Sequence, residues 1–385
     1  MRIIFGVIFM LSLYAGSNFY IAFKLYKWLN LLFQNINIKI FICIYIFFAL
    51  SIIFNFLSIP PVIKRVMSWI SAYWMGIFAY LLIFFLLADL VVLFGSLIKI
   101  IPVPVALNIR FFSGLFAILL TAGFVSYGIF NANQIINVSY NINLKNKELS
   151  SGLKITLVSD LHLGAVNSEK NLERVIKEIN NAKPDLVCIA GDIFNDNFNA
   201  IHNPLRAMDL FKSITSRYGV YACLGNHDGG NTFDQMINFL EQSNIKLLND
   251  DYMIIDEKLI LIGRVDPSPI GGFNGLKRKN IKEITALLNA NPALADAQMP
   301  VVVMDHNPSN IEQYGNEFDL IISGHTHGGQ IFPGGLFTNA IFTVDYGYYQ
   351  KDAGKPHVVV TSGAGTWGMP MRIGTNSEIV NINLR

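Results

Sequence analysis

The chain has 385 residues and a formal net charge of +2, with 52% hydrophobic and only 15% charged residues. Soluble domains carry about 25% charged residues, so a purely water-soluble protein is excluded, and no basic patch suits a nucleic-acid partner. Cys43 lies in a membrane-like run and Cys188 and Cys223 in strand-like runs, which points to apolar packing and not to a disulfide framework.

From the N-terminus, four apolar runs approach or exceed the roughly 20 residues needed to cross a bilayer. They are residues 3–23, ended by Lys24 and Lys27; 38–57, ended by Pro60 and Pro61; 67–98; and 111–130. Tyr20, Trp28, Trp69, Tyr73 and Trp74 lie near their ends, as in an interfacial belt. A cleaved signal peptide is the alternative for the first run. Against it, Arg2 is a thin positive region, Ala15-Gly16-Ser17 is a poor cleavage site, and three further runs follow. Four spans put both termini on one side. Lys24, Lys27 and Lys39 flank the first loop and Lys99 and Arg110 the third, with Arg2, Lys64 and Arg65 opposite. That balance leans toward an external C-terminal domain. Asp89, inside the third run, is either a functional intramembrane carboxylate or one paired with a nearby Lys or Arg; pairing is the favoured expectation.

Residues 1–132 thus form a transmembrane region with four helices, 133–150 a linker and first strand, and 151–385 a soluble domain. Residues 138–144 alternate with period two, as in a half-buried edge strand. Short β-branched runs follow at 154–159, 186–190, 220–224, 259–263, 301–304, 320–323 and 357–362. Helical patterns lie between some of them, at 170–181, 205–216, 232–242 and 280–289. The alternation predicts a layered α/β domain.

Polar, metal-binding residue types recur where these strands end. Asp160-Leu161-His162, Gly191-Asp192, Gly225-Asn226-His227-Asp228, Asp305-His306 and Gly324-His325-Thr326-His327-Gly328-Gly329-Gln330 each follow an apolar run. Ligands of open α/β sheets bind outside the carboxyl ends of the strands, so one shared site is the simplest reading. Spacing of two, in extended chain, would turn Asp160 and His162 to one face, and likewise His325 and His327. Mixed carboxylate and imidazole donors suit Mn, Fe, Zn or similar divalent ions.

These ordered elements resemble the calcineurin-like metallophosphoesterase superfamily, and the ending from Ser362 to Gly374 is similar to its membrane-associated bacterial branch. The resemblance covers about residues 150–385. It implies a β-sandwich flanked by helices and a centre of two divalent metal ions. By position, Asp160, His162 and His327 would hold the first ion and Asn226, His306 and His325 the second. Asp192 would bridge them. His227 would be catalytic rather than a ligand, protonating the leaving alkoxide or orienting the phosphate, with Asp228 or a backbone group fixing its tautomer. Relatives often carry Gly-x-Asp-Asp where this chain has Gly263-Arg264-Val265-Asp266, and Arg264 is expected either on the substrate phosphate or in a surface salt bridge. His202 is expected to be an exposed loop residue and His357 structural.

The expected activity is hydrolysis of a phosphomonoester, phosphodiester or pyrophosphate bond by two-metal in-line displacement. The bilayer is the expected partner, and the anchor hints at a lipid-linked substrate. The alternative is a membrane sensor, transporter or scaffold whose phosphoesterase domain is regulatory. Asp89 alone speaks for it, and the spans lack the paired broken helices that mark transporters.

Overall fold

The computed structural model describes residues 2–57, 59–144, 152–291 and 299–385. The chain divides into two compact units, Met1–Ile129 and Phe130–Arg385.

The first unit is helical. Its helices are α1 (Arg2–Leu32), α2 (Ile38–Leu50, continued by a 3-10 segment Ser51–Phe56), α3 (Pro61–Leu97) and α4 (Leu107–Ala132). Four segments, Ile4–Leu32, Ile38–Phe56, Val62–Leu97 and Leu107–Ala132, are long and apolar enough to cross a membrane. Large apolar side chains such as Phe5, Val91, Phe94 and Phe112 face outward, whereas some polar groups are paired inside. The Tyr45 hydroxyl donates to Asn18 Oδ1 at 3.1 Å, and Trp28 Nε1 donates to the Phe111 carbonyl at 3.0 Å. Helix α1 continues nine residues past the predicted stop at Phe23, to Leu32. The reason is local: Lys24 is neutralised by an ion pair with Asp89, which also accepts the Tyr20 hydroxyl at 2.7 Å. Asp89 is therefore a paired carboxylate within an apolar helix.

The second unit contains two six-stranded sheets. Their strands in chain order are β1 (Ile135–Ile142), β2 (Leu153–Val158), β3 (Leu186–Ala190), β4 (Val220–Cys223), β5 (Ile245–Leu247), β6 (Asp251–Ile255), β7 (Leu259–Gly263), β8 (Val301–Met304), β9 (Leu320–Ser323), β10 (Gly347–Tyr349), β11 (His357–Val360) and β12 (Ser377–Leu384). One sheet has the order β1-β12-β2-β3-β4-β5 and the other β10-β11-β9-β8-β7-β6. Strands β2 to β5 are mutually parallel, as are β7, β8, β9 and β11. Helices α5 (Glu169–Ala182), α6 (Pro204–Lys212) and α7 (Phe233–Gln242) flank the first sheet, α8 (Ile281–Asn289) the second, and a short α9 covers Gly334–Ile341.

Side-chain alternation along the strands builds the layers. In β3, Leu186, Cys188 and Ala190 join the core between the sheets, with Leu157, Cys223, Leu261, Met304 and Ile322. Val187 and Ile189 point the other way, onto Leu172, Ile176 and Phe239 of the flanking helices. Ile260, Val303 and Ile321 meet Ile284 and Leu288 of α8 on the far side of the second sheet. The result is a four-layer α/β/β/α sandwich, with both strand-borne cysteines in its central layer. Strands β5, β6, β10 and β12 and helix α9 had no counterpart among the predicted elements. The predicted edge strand is present, shifted toward the N-terminus, and pairs in parallel with β12.

Candidate metal centre

Strands β2, β3, β4, β8 and β9 all deliver their carboxyl ends to one place, and the loops there continue the sheet's hydrogen bonding. Asp160 N donates to the Gly191 carbonyl at 3.0 Å, His162 N to Asp192 O at 3.0 Å, and Gly324 N to His306 O at 3.0 Å. Across this seam the backbone turns sharply. Asp160, His162, Asp192, His325 and His327 all have positive φ, between 47° and 72°. Non-glycine residues rarely adopt this region, at a cost of about 1–3 kcal/mol each, and such strain concentrates at functional sites. The expected extended i, i+2 geometry is thus wrong, although the two residues of each pair do converge; each reaches the site from a left-handed turn.

Two glycines make the convergence possible. A Cβ on Gly225 would lie 2.2 Å from Asp192 Oδ1, and one on Gly324 would lie 2.3 Å from Asp160 Oδ2. Any side chain at either position would push a candidate ligand out of place.

The side chains form two groups, Asp160 with His162 and His327, and Asp192 with His306 and His325; within each group the donor atoms lie within 4.8 Å of one another. In the first, His162 Nε2 faces His327 Nε2 at 3.1 Å, and Asp160 Oδ1 is 3.3 Å from His327 Nε2. In the second, Asn226 Oδ1 lies 2.9 Å from His325 Nδ1. Asp192 Oδ2 stands 3.2 Å from His306 Nε2 and 3.6 Å from His162 Nε2, so one oxygen faces both groups.

A pair of divalent cations fits this donor set. His306 Nδ1 sits 2.7 Å from the Ala190 carbonyl, a contact that fixes the tautomer with its proton there and turns Nε2 inward. That Nε2 is buried and has no well-directed hydrogen bond. Burial lowers the His162 imidazole to about 3 and holds that of His327 well below its ordinary value. Burial raises the Asp160 carboxyl to about 6. For Asp192, burial acts upward but is outweighed by His306 and His162, which hold the carboxyl below its ordinary range. Burial acts downward on His306, but Asp192 raises it well above its ordinary value, so the neutral inward-facing imidazoles beside the ionised Asp192 are those of His162 and His327, donors of the kind a mixed N/O metal site requires.

His227 lies beside the first group, its ring 5.1 Å from that of His162. Its backbone N donates to Asp192 Oδ1 at 2.8 Å, and its Nδ1 lies 2.8 Å from Asp196 Oδ1. The orienting carboxylate is therefore Asp196, not Asp228. Asp228 instead accepts the backbone N–H groups of Phe194 and Gly225, each at 2.8 Å, and holds the loop. Burial alone would lower the His227 imidazole, but the hydrogen-bonded Asp196 and nearby Asp192 raise it above its ordinary value.

Arg264 meets neither expectation. It is fully buried, donating from Nε to Asp250 Oδ1 at 2.6 Å, from Nη1 to the Tyr314 hydroxyl at 3.1 Å and from Nη2 to the Lys279 carbonyl at 2.7 Å. It is a structural brace, neither a phosphate contact nor a surface ion pair. His202 is exposed, and His357 Nδ1 is 2.8 Å from the Tyr348 hydroxyl.

Three contributors had not been singled out. Asp196 is one. Arg372 is fully buried behind His327 and donates to the carbonyls of Ser362 and Gly365, both at 2.6 Å, which fixes the loop lining the first group. Gln330 clamps the backbone of Trp367, accepting its N–H at 2.7 Å and donating to its carbonyl at 2.9 Å. The indole of Trp367 is left half exposed, 5.8 Å from the His227 ring.

An αββα sandwich with two carboxylate–imidazole groups at its strand ends offers two candidate metal-binding groups, and comparison with known proteins gives the family. Residues 153–329 match the calcineurin-like phosphoesterase family. A metallophosphoesterase of Campylobacter jejuni is 30% identical over 100% of this chain and 98% of its own length. A transmembrane protein with metallophosphoesterase domain from Danio rerio is 28% identical over 70% of this chain and 62% of its length. A Helicobacter pylori metallophosphoesterase is 28% identical over 62% of this chain and 61% of its own. The chain belongs to the calcineurin-like metallophosphoesterases.

Proposed function

We propose that this chain is a membrane-anchored phosphoesterase with two divalent ions. The observation that carries the reading is Asp192 Oδ2, which faces both donor groups at once. Asp160, His162 and His327 would hold one ion and Asn226, His306 and His325 the other, with Asp192 placed to serve both. When bound, the ions supply an activated water as nucleophile and offset charge on the phosphoryl oxygens. The residues do the rest. The carboxylate of Asp196 takes the Nδ1–H of His227, which leaves the Nε2–H to be given to the departing alkoxide. Trp367 forms an apolar wall on the leaving-group side. The substrate is a phosphomonoester, phosphodiester or pyrophosphate, and the four apolar helices favour one carried by a lipid in the cell membrane, with the C-terminal domain on the outer side. The sensing or transport reading is less favoured, since Asp89 is paired with Lys24 and Tyr20.

The test uses the full chain with Mn, metal analysis and an aryl phosphate. Asp192→Ala should lose both ions and all turnover. His227→Ala should keep both ions while turnover falls by about 10²–10⁴-fold, the usual worth of a positioned proton donor. Metal loss in the His227 variant would refute its assigned role, and a metal-replete, active Asp192 variant would refute the bridge.

A further inference from the structure

The second unit leaves a compact apolar surface beside the metal centre. Leu336, Phe337 and Ile341 on α9 are 68%, 66% and 75% exposed, and Phe332 just before it is 54% exposed. Residues 328–344 contain no Asp, Glu, Lys or Arg. The other side of α9 is engaged: Thr338 Oγ1 donates to Asp345 Oδ2 at 2.7 Å, and the backbone carbonyl of Asp345 accepts Thr326 Oγ1 at 2.5 Å. Just past the helix, the Phe342 ring lies 6.1 Å from the ring of His325. The helix is thus fixed against the site by its polar side, and its apolar side has no partner within the described residues. Contiguous exposed apolar surface of this kind marks an interaction site.

What covers it follows from where the chain enters the unit. Phe130–Ala132, the last turn of the apolar helix α4, is held by the loop 372–377. Asn131 Nδ2 donates to the carbonyls of Arg372 and Thr375 at 3.2 and 2.8 Å, and Ser377 Oγ donates to the Ala132 carbonyl at 3.0 Å. The same loop holds the root of α9. Phe332 N donates to the Ile373 carbonyl at 2.8 Å, and Thr375 Oγ1 to the Gln330 carbonyl at 2.9 Å. One short loop therefore ties Asn131 and Ala132, where the chain enters this unit, to the segment that presents the patch.

We propose that the outer side of α9, with Leu336, Phe337 and Ile341, forms a membrane-docking surface that seats in the headgroup region of a phospholipid bilayer. This sets the mouth of the metal centre against the lipid surface. A short uncharged segment with Phe, Leu and Ile on one side and Thr and Asn on the other suits that boundary. The inference rests on the membrane-anchored reading of the apolar helices.

The test uses the full chain in phosphatidylcholine–phosphatidylglycerol proteoliposomes, with Cys43→Ser as background. Leu336→Cys carries an environment-sensitive fluorophore, and Lys212→Cys on α6 is the water-facing control. Nitroxide-labelled lipid should quench the probe at 336 at least twofold more than the probe at 212. Equal quenching would overturn docking, as would a probe at 336 that is shielded from water without lipid quenching, the result expected of a protein partner or a second copy. In a second arm, Leu336→Asp with Phe337→Asp should reduce lipid quenching of a probe at Ile341→Cys at least twofold. Turnover of a soluble aryl phosphate should stay within twofold. Lost turnover with unchanged quenching would assign α9 to the reaction itself and overturn the docking role. An unmutated chain inactive on the aryl phosphate counts against the phosphoesterase reading alone, because the quenching comparison needs no turnover.

Discussion

At the scale of single residues, the pairing of His227 with Asp196 has the clearest chemical consequence. A carboxylate 2.8 Å from Nδ1 favours the charged imidazolium and raises its pKa. With protonated His227 as the proposed proton donor, activity should fall as pH rises through that raised value. Asp196→Asn removes the charge, lowers the imidazole toward its ordinary range and moves the alkaline limb of the kcat profile to lower pH. An unmoved limb would mean that another group sets it. Arg264 behaves differently because it touches only structural partners. Breaking a buried, hydrogen-bonded ion pair costs about 3–5 kcal/mol. Arg264→Ala should therefore lower the unfolding free energy by that order in denaturant titration, with KM for an aryl phosphate nearly unchanged in the folded fraction. A large rise in KM would restore the phosphate-contact role that the buried position argues against.

At the scale of elements, the sheets set what could be read in advance. Strands β2, β3, β4, β8 and β9 are short runs bounded by glycine and polar residues, and their exits carry the metal-binding residue types, so both the elements and the convergence of those residue types were legible. The conformation of the exits was not. Residue types give no sign that Asp160 and His162 sit at positive φ; that is imposed by the neighbouring loop, whose Gly191 and Asp192 carbonyls take their N–H groups. Asp196 escaped notice for a related reason, since its role depends on where the loop after β3 returns. Strand β12 was missed because its partners lie far away in sequence, at β1 and β2. That pairing makes a prediction. β12 pairs over its full length with β1, from Ile135 with Ser377 to Ile142 with Leu384. A soluble fragment of residues 130–385 keeps this edge, whereas one of residues 152–385 leaves β12 as a bare edge open to aggregation. The longer fragment should be monomeric by sedimentation and the shorter should associate; equal behaviour would show that β1 is dispensable.

At the scale of the whole molecule, one unit supplies apolar helices and the other supplies chemistry, and the composition reflects the sum. The near-neutral charge is the sum of a basic helical part, with eight Lys or Arg against Asp89 alone in residues 1–132, and an acidic remainder. The metal centre also links function to stability. Its proposed ligands come from the ends of five strands in two sheets, so ions that bind only the folded state would hold both sheets together. At a free ion concentration of about 100 Kd that linkage is worth about 2.7 kcal/mol. The central layer holds a reporter for it. Cys188 and Cys223 are fully buried between the sheets, and burial pushes both thiols far up from their ordinary range. A thiol reagent reaches them only when the sandwich opens, so their alkylation rate times the opening of the layers without reference to catalysis. Chelation should quicken that labelling by up to about 10²-fold, the counterpart of the linkage energy. The chain thus carries an internal clock whose rate reads how firmly the two ions close the sandwich.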